Sequence, residues 1–148
     1  MSPRLAVRAV ILDRGRLLLV NAYPGDASDL WCAPGGGAEP GTSLAANLVR
    51  EVQEETGLAI RPGRLLGVAE FHNPETGFHQ VDLLYRARLL APPEASVLRD
   101  PAAVVNRLRW ATPDEVATLR VKPDILPRLA FSTPRGILHD PRLEVMVP

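Results

Sequence analysis

The sequence has little that would favour disulfide bonding, membrane insertion or binding to duplex DNA. Its 148 residues include one cysteine, Cys32, which excludes an internal disulfide and a multi-thiolate zinc site. Basic and acidic residues both number 17, so the basic excess typical of a duplex DNA binder is missing. No apolar run approaches the roughly 20 residues that span a bilayer, and the apolar stretch before Asp13 is too short for a secretory signal. We therefore expect a cytoplasmic protein whose partners are neither membranes nor nucleic-acid polymers.

The composition is that of an ordinary globular domain, with 46% hydrophobic and 23% charged residues. The length predicts a single domain over residues 1–148, either a monomer or a homodimer. Cys32 follows Trp31 in a short extended segment and is predicted to be a small buried hydrophobe.

The order of predicted elements mixes strands and helices without regular alternation. Two apolar runs, residues 5–12 and 16–22, flank a glycine-containing turn and predict a β-hairpin. A run of three glycines, 35–37, is expected to be a loop. Residues 43–56 predict a helix that Thr42 or Ser43 caps and Gly57 ends. Strands are predicted over 64–72, 78–90 and 105–111, a proline-rich loop over 91–103, a helix opened by Thr112, and a short helix over 122–129 interrupted by Pro127.

This arrangement indicates an α+β fold with a mixed sheet, and the tail over 132–148 is left without an assignment. Dinucleotide-binding and P-loop glycine patterns are both missing from the sequence.

Three glutamates carry the main functional signal. On a helix over 43–56, Glu51, Glu54 and Glu55 share an arc of roughly 100°. Like charges so placed cost a few tenths of a kcal/mol per pair, and the helix dipole disfavours anions in the last turns. A divalent cation, Mg²⁺ or Mn²⁺, would turn this repulsion into binding. The alternative is an ordinary solvated face in which Arg50 pairs with Glu54.

The spacing from Gly36 to residues 50–58, REVQEETGL, resembles the Nudix box, here 36–58. The resemblance implies a mixed sheet sandwiched between helices (α/β/α) and a metal-dependent hydrolase of nucleoside diphosphates linked to another group. It also implies that Glu51, Glu54 and Glu55 hold the metal with a backbone carbonyl near Gly36, and that Arg50 orients a glutamate. Water would attack phosphorus, with one carboxylate as base. The candidate substrates are ADP-ribose, nucleotide sugars and (deoxy)nucleoside triphosphates.

One position departs from the box, because its first glutamate falls on Thr42. A neutral hydroxyl should weaken one metal position, although Thr42 is also a suitable helix N-cap and Glu39 lies close enough in sequence to substitute. The departure supports an alternative function, a catalytically weak module that binds and senses a nucleotide. A purely structural protein is a third hypothesis, which leaves the glutamates unexplained.

Aromatic residues are scarce, at seven, which limits the choice of a residue that stacks on a nucleobase. Tyr23 and Phe78 lie in or beside predicted loops and are the candidates. Glu75 lies in the predicted turn at 73–77 and His79 follows it, and either could contact phosphates or supply a base. Each of these four side chains could equally be an ordinary core or surface residue.

Overall fold

The computed structural model describes residues 2–21, 23, 27–93, 108–132 and 134–147. The described strands are β1 Arg4–Asp13, β2 Arg16–Asn21, β3 Leu30–Cys32, β4 Gly35–Gly37, β5 Ile60–Asn73, β6 Phe78–Leu89, β7 Leu108–Ala111, β8 Arg120–Val121 and β9 Leu138–Val145. The described helices are α1 Leu44–Thr56, α2 Pro113–Thr118 and α3 Leu126–Phe131.

The strands form one mixed sheet in the order β8-β3-β2-β1-β6-β5-β9, with β4 paired to β1 and β7 paired to β2. Strand β1 is the hub, since it pairs in parallel with β6 and antiparallel with β2 and β4. The predicted hairpin is confirmed as β1 and β2, although Ala22 lies outside the described residues.

Two apolar layers cover the two faces of this sheet. Because side chains alternate along a strand, β1 sends Val7, Ala9 and Ile11 to one face and Val10 to the other. Helix α1 covers the first face with Leu48 and Val52. Helices α2 and α3 cover the second face; the residues they bury there are Val116, Leu126, Leu129 and Ala130. This is the α+β sandwich of a mixed sheet between helices that the sequence predicts.

Helix α1 begins and ends as its sequence predicts. Ser43 is the N-cap, and its Oγ accepts a hydrogen bond from the Ala46 amide at 3.1 Å. Gly57 ends the helix in the left-handed conformation, with φ 75°. The idea that Thr42 is present as the N-cap is therefore wrong, and its hydroxyl needs another explanation.

Two expectations about irregular segments are also wrong, and the tail that the sequence left without an assignment contains a strand. The glycines of β4 form a strand rather than a loop, because β1 offers them an antiparallel partner. Helix α3 contains Pro127 in its first turn, where a missing amide costs nothing, so the proline opens the helix instead of interrupting it. The unassigned tail includes β9, which pairs in parallel with β5 at the sheet edge.

The other predicted elements differ mainly at their ends. Strand β5 begins at Ile60, earlier than expected, because a register shift between Pro62 and Leu65 accommodates the intervening glycine. Thr112 caps α2 as predicted. Positions 94–107, which hold most of the predicted proline-rich loop and the start of β7's predicted strand, lie outside the described residues. Of the helices the structure describes, none is long and apolar enough to cross a membrane.

Candidate active site

The carboxylates of α1 lie against the backbone of β4. Glu55 Oε2 accepts a hydrogen bond from the Gly35 amide at 3.0 Å. The carboxylate of Glu51 packs so closely on Gly36 that a Cβ there would overlap it. Gly36 is thus required by the close approach of a side chain, which explains a glycine in the middle of a short strand.

Arg50 donates hydrogen bonds to the carboxylates of Glu51 and Glu54. Its Nη1 donates to Glu51 Oε1 at 2.9 Å and to Glu54 Oε2 at 3.4 Å. Its Nη2 donates to Asn47 Oδ1 at 2.8 Å and to the Gly37 carbonyl at 3.5 Å. Burial lowers the pKa of Arg50, but the hydrogen bond to Glu51 and the negative charges of Glu51, Glu39 and Glu54 together raise it. Two carboxylate oxygens and a backbone carbonyl therefore converge on one guanidinium.

Asn47 is a buried support that the sequence did not single out. Its Nδ2 donates to the carbonyls of Thr42 and Ser43 at 3.1 and 2.8 Å. Its Oδ1 accepts from the Glu39 amide at 3.0 Å and from Arg50. The side chain is fully buried and joins the loop before α1 to the arginine that holds the glutamates. An asparagine on the carboxylate arc of the helix was the available signal.

A cavity of about 410 Å³ opens on the other face of the same region of the sheet. Tyr23 and Phe78, the two predicted aromatic candidates, both line it. The polar lining comes from Arg4, Arg8, Asn73, Thr76 and Gln80, and Met146 completes it. The cavity therefore combines aromatic side chains with two positive charges.

The charged lining belongs to a buried network that links β1 to β6. Arg8 Nε lies 3.4 Å from Asp82 Oδ2, and its Nη1 donates to the Ala33 carbonyl at 3.3 Å. Gln80 Nε2 donates to Asp82 Oδ1 at 2.7 Å, and Arg4 Nη1 donates to Gln80 Oε1 at 3.1 Å. The sequence holds one signal for this network, because Arg4 and Arg8 stand in a strand that is otherwise mostly apolar.

The electrostatics connect this network to the carboxylates. Burial alone would lower the pKa of Arg8, but the negative charge of Asp82, followed by weaker effects of Glu55 and Glu51, raises it. Burial also raises the pKa of Asp82, and Arg8 and Gln80 oppose that rise. Glu51 and Glu55 thus lie within electrostatic reach of Arg8.

Comparison with known proteins identifies the family. A family model of the NUDIX domain matches residues 2–130. The chain belongs to the Nudix family. The segment whose sequence resembles the Nudix box, 36–58, includes most of β4, the loop that follows it and helix α1.

Two relatives of the chain have names that state an activity. The chain is 36% identical over 81 residues to "Putative ADP-ribose pyrophosphatase YjhB" of Bacillus subtilis (strain 168), covering 53% of the chain and 38% of that protein. It is 38% identical over 93 residues to human diphosphoinositol polyphosphate phosphohydrolase 3-beta, covering 63% and 54%. The matches thus span about half the length of these relatives or less.

Solved Nudix structures share the fold. The NUDIX hydrolase from Nitrosomonas europaea superposes with a TM-score of 0.71 at 24% identity, and the match covers 86% of both chains. The likeness shows that the curled sheet and its flanking helices are the Nudix architecture.

Thr42, the departure from the Nudix box, lies exposed in the loop before α1. Its carbonyl, rather than its side chain, supports Asn47. Glu39 lies in the same loop with its Oε1 3.8 Å from Arg50 Nη2, and its side chain is 64% exposed. Glu39 is therefore close to the arginine and points a carboxylate toward the same group of acids.

The donor set has the chemistry that a hard divalent cation needs. Glu51, Glu54 and Glu55 supply carboxylate oxygens, and the Gly37 carbonyl lies beside them, a set that suits Mg²⁺ or Mn²⁺. In the part of the chain that the structure describes, no three His, Cys, Asp or Glu side chains are already arranged around one point as a metal site. Arg50 and the β4 backbone hold the acids instead.

Glu75 and His79, the two polar candidates near the turn after β5, are not among the residues that line the cavity with Tyr23 and Phe78. Glu75 is exposed in the turn, where its amide donates to Asn73 Oδ1 at 2.9 Å. His79 alternates with Phe78 and Gln80 along β6, so it faces the opposite side and lies 4.0 Å from Glu70 Oε1. The structure therefore brings Tyr23 and Phe78 together at the cavity, and Glu75 and His79 do not line it.

Cys32 is buried, as the sequence predicts, and its Sγ donates weakly to the Val20 carbonyl at 3.7 Å. Burial raises the pKa of the thiol to about 11. A thiol that stays protonated at neutral pH is a poor nucleophile, so its contribution is packing.

Proposed function

We propose that the protein is a divalent-metal-dependent pyrophosphohydrolase that cleaves the diphosphate of a nucleoside diphosphate linked to a second group. The single observation that carries this proposal is the grouping of three carboxylates, in which Glu51 and Glu55 pack on the β4 backbone and Arg50 links Glu51 to Glu54. Membership of the Nudix family and the activities for which the relatives are named support this proposal.

The residues of α1 take distinct roles in this proposal. Glu51, Glu54 and Glu55 would hold Mg²⁺ or Mn²⁺ with the carbonyl beside Gly36, and the cation would neutralise phosphate charge and polarise a bound water. Arg50 keeps the Glu51 and Glu54 carboxylates apart and oriented. Of the two glutamates that Arg50 contacts, Glu54 is the more accessible, with 53% of its side chain exposed against 17% for Glu51.

Glu54 is therefore assigned as the group that accepts the proton of the attacking water. The water oxygen forms a bond to phosphorus, the bridging P–O bond breaks, and the leaving phosphate takes the electron pair. Two phosphate-containing products result.

The cavity is assigned to the nucleoside. Tyr23 and Phe78 both line it, so a planar base can stack on at least one of them. ADP-ribose, nucleotide sugars and (deoxy)nucleoside triphosphates all offer a base joined to a diphosphate and remain the substrate candidates. Glu75 and His79 would act only on a part of the substrate that extends beyond the cavity.

The test is a substrate panel of these compounds with Mg²⁺ or Mn²⁺, with products identified by chromatography. We expect metal-dependent cleavage at a diphosphate, reduced about 10²-fold or more in Glu54→Gln because an electrostatic and proton-accepting group is lost. Gln53→Asn is the matched control, since Gln53 is exposed on the opposite side of the same helix. Wild-type rates in Glu54→Gln on a cleaved substrate would refute this assignment.

A nucleotide-sensing module is the second candidate, and the exposed neutral Thr42 is the observation that favours it. It predicts nucleotide binding without turnover on any member of the panel. Restoring the carboxylate with Thr42→Glu separates the two, because a decayed hydrolase should gain metal affinity and turnover. A sensing module should gain neither.

A further inference from the structure

Among the described residues that line the cavity, two are arginines and none is acidic, and their hydrogen-bonded network adds the single carboxylate of Asp82. Arg8 is matched by the Asp82 carboxylate at 3.4 Å, and Asp82 is only 2% exposed. Arg4 is exposed, and its Nη1 donates a hydrogen bond to the neutral amide of Gln80 at 3.1 Å. Two guanidinium groups around one carboxylate leave a net positive charge at the cavity wall, on the side where Arg4 reaches solvent.

The network also fixes the direction in which Gln80 presents its amide. Gln80 Nε2 donates to Asp82 Oδ1 at 2.7 Å, so the carbonyl oxygen faces Arg4. The strand register permits this, since Arg4 pairs with Gln80 and the small Ala6 lies opposite Asp82. Gln80 is 2% exposed and cannot turn toward water, so it holds Arg4 in one place.

Arg4 lies on the cavity side of β4, the strand against which Glu51 packs from the other side. Its guanidinium packs on Gly37, where an added Cβ would lie 2.8 Å from Nε and 3.0 Å from Cζ. The preceding residue, Gly36, packs on the Glu51 carboxylate. A guanidinium that lines the cavity is thus one strand residue away from an acid assigned to the metal.

We propose that Arg4 is a specificity-determining residue that binds a phosphate of the nucleotide in the cavity, and that Gln80 and Asp82 are its positioning residues. This rests on the proposed function, because the cavity is taken to be the nucleoside side of a diphosphate substrate. A planar guanidinium with free donors matches two phosphate oxygens at once, and the aromatic lining accepts the base.

The test is a metal-free titration by isothermal calorimetry in EDTA with adenosine, ADP and inorganic pyrophosphate. We expect Arg4→Gln to weaken the affinity for ADP and for pyrophosphate about tenfold or more, because a charged hydrogen-bonding group is lost. The affinity for adenosine should change less than twofold. Arg88→Gln is the matched control, since Arg88 is an exposed arginine at the far end of β6. It should change none of the three.

Gln80→Met tests positioning, because it keeps an unbranched side chain and removes both amide hydrogen bonds. We expect the preference for ADP over adenosine to fall, whereas a smaller folded fraction would lower both affinities equally. On a cleaved substrate, Arg4→Gln should raise KM about tenfold and leave kcat within about threefold.

Equal ADP affinity in wild type and Arg4→Gln would overturn the inference, and so would wild-type protein that binds neither ADP nor pyrophosphate. Either result leaves the hydrolase assignment standing, because that depends on metal-dependent turnover and Glu54. Conversely, a protein that cleaves nothing but loses ADP through Arg4→Gln would refute the hydrolase and keep the anion site.

Discussion

Substitution of Gly36 by alanine should separate catalysis from stability. The new Cβ would occupy the volume of the Glu51 carboxylate, so the side chain must move. Gly36 does not have a positive φ, and the atoms in the way are the end of a flexible side chain. The stability cost is therefore that of a shifted rotamer, about 1 kcal/mol.

The catalytic cost should be much larger. A carboxylate displaced by about 1 Å from its position costs on the order of 10²-fold in rate. We expect a loss of that size in turnover, together with weaker Mn²⁺ binding measured by electron paramagnetic resonance. The metal titration has the advantage that it requires no knowledge of the substrate.

Gly41→Ala, in the loop that follows β4, is the matched control and should behave in the opposite way. Gly41 has φ 77° and nothing within 4 Å of an added Cβ. Alanine in the left-handed region costs about 1–2 kcal/mol, and no glutamate is disturbed. Urea denaturation should show this loss, with metal binding unchanged. If Gly36→Ala keeps its Mn²⁺ affinity and its turnover within threefold, the contact between Gly36 and Glu51 does not position the metal site.

Two other predictions follow from buried groups. Asn47→Ala should lower the free energy of unfolding by about 2–3 kcal/mol in urea denaturation, because buried donors and acceptors lose their partner. The control is Gln53→Ala, at an exposed polar residue of the same helix. It should change the free energy of unfolding by less than about 0.5 kcal/mol. An equal effect of the two changes would contradict the role of Asn47. The Cys32 thiol keeps its proton in the native state up to a pKa of about 11 and loses it near 9.0 when unfolded, so stability should fall as pH rises between these values. The difference between wild type and Cys32→Ala should shrink by about 2–3 kcal/mol over that window, and parallel pH profiles would contradict the burial of the thiol.

Local chemistry explains which predictions from the sequence are confirmed. The hairpin, helix α1 with its ends at Ser43 and Gly57, and the helix after Thr112 each depend on neighbouring residues. Capping, turn chemistry and periodicity operate over a few residues, so the sequence shows them directly. The residues that resemble the Nudix box also lie in one short segment, which is why the sequence alone indicates the family.

The errors come from partners distant in sequence. Three glycines form β4 because β1 pairs with them, and the tail supplies β9 because β5 has a free edge. Neither partner is visible from the strands themselves, since glycine has little intrinsic tendency to form a strand. The predicted role of Thr42 as a cap failed for a simpler reason, because the next residue offers the same chemistry.

The sequence by itself determined the family, the sandwich of mixed sheet and helices, and the three glutamates on one helix face. Only the tertiary structure decided what surrounds those glutamates. It placed Arg50 and the buried Asn47 among them, and it joined Arg4 and Arg8 on β1 to Gln80 and Asp82 on β6, which lie more than seventy residues away. The physical reason is that a buried charge or amide must find partners in space, and strand register selects them regardless of sequence distance.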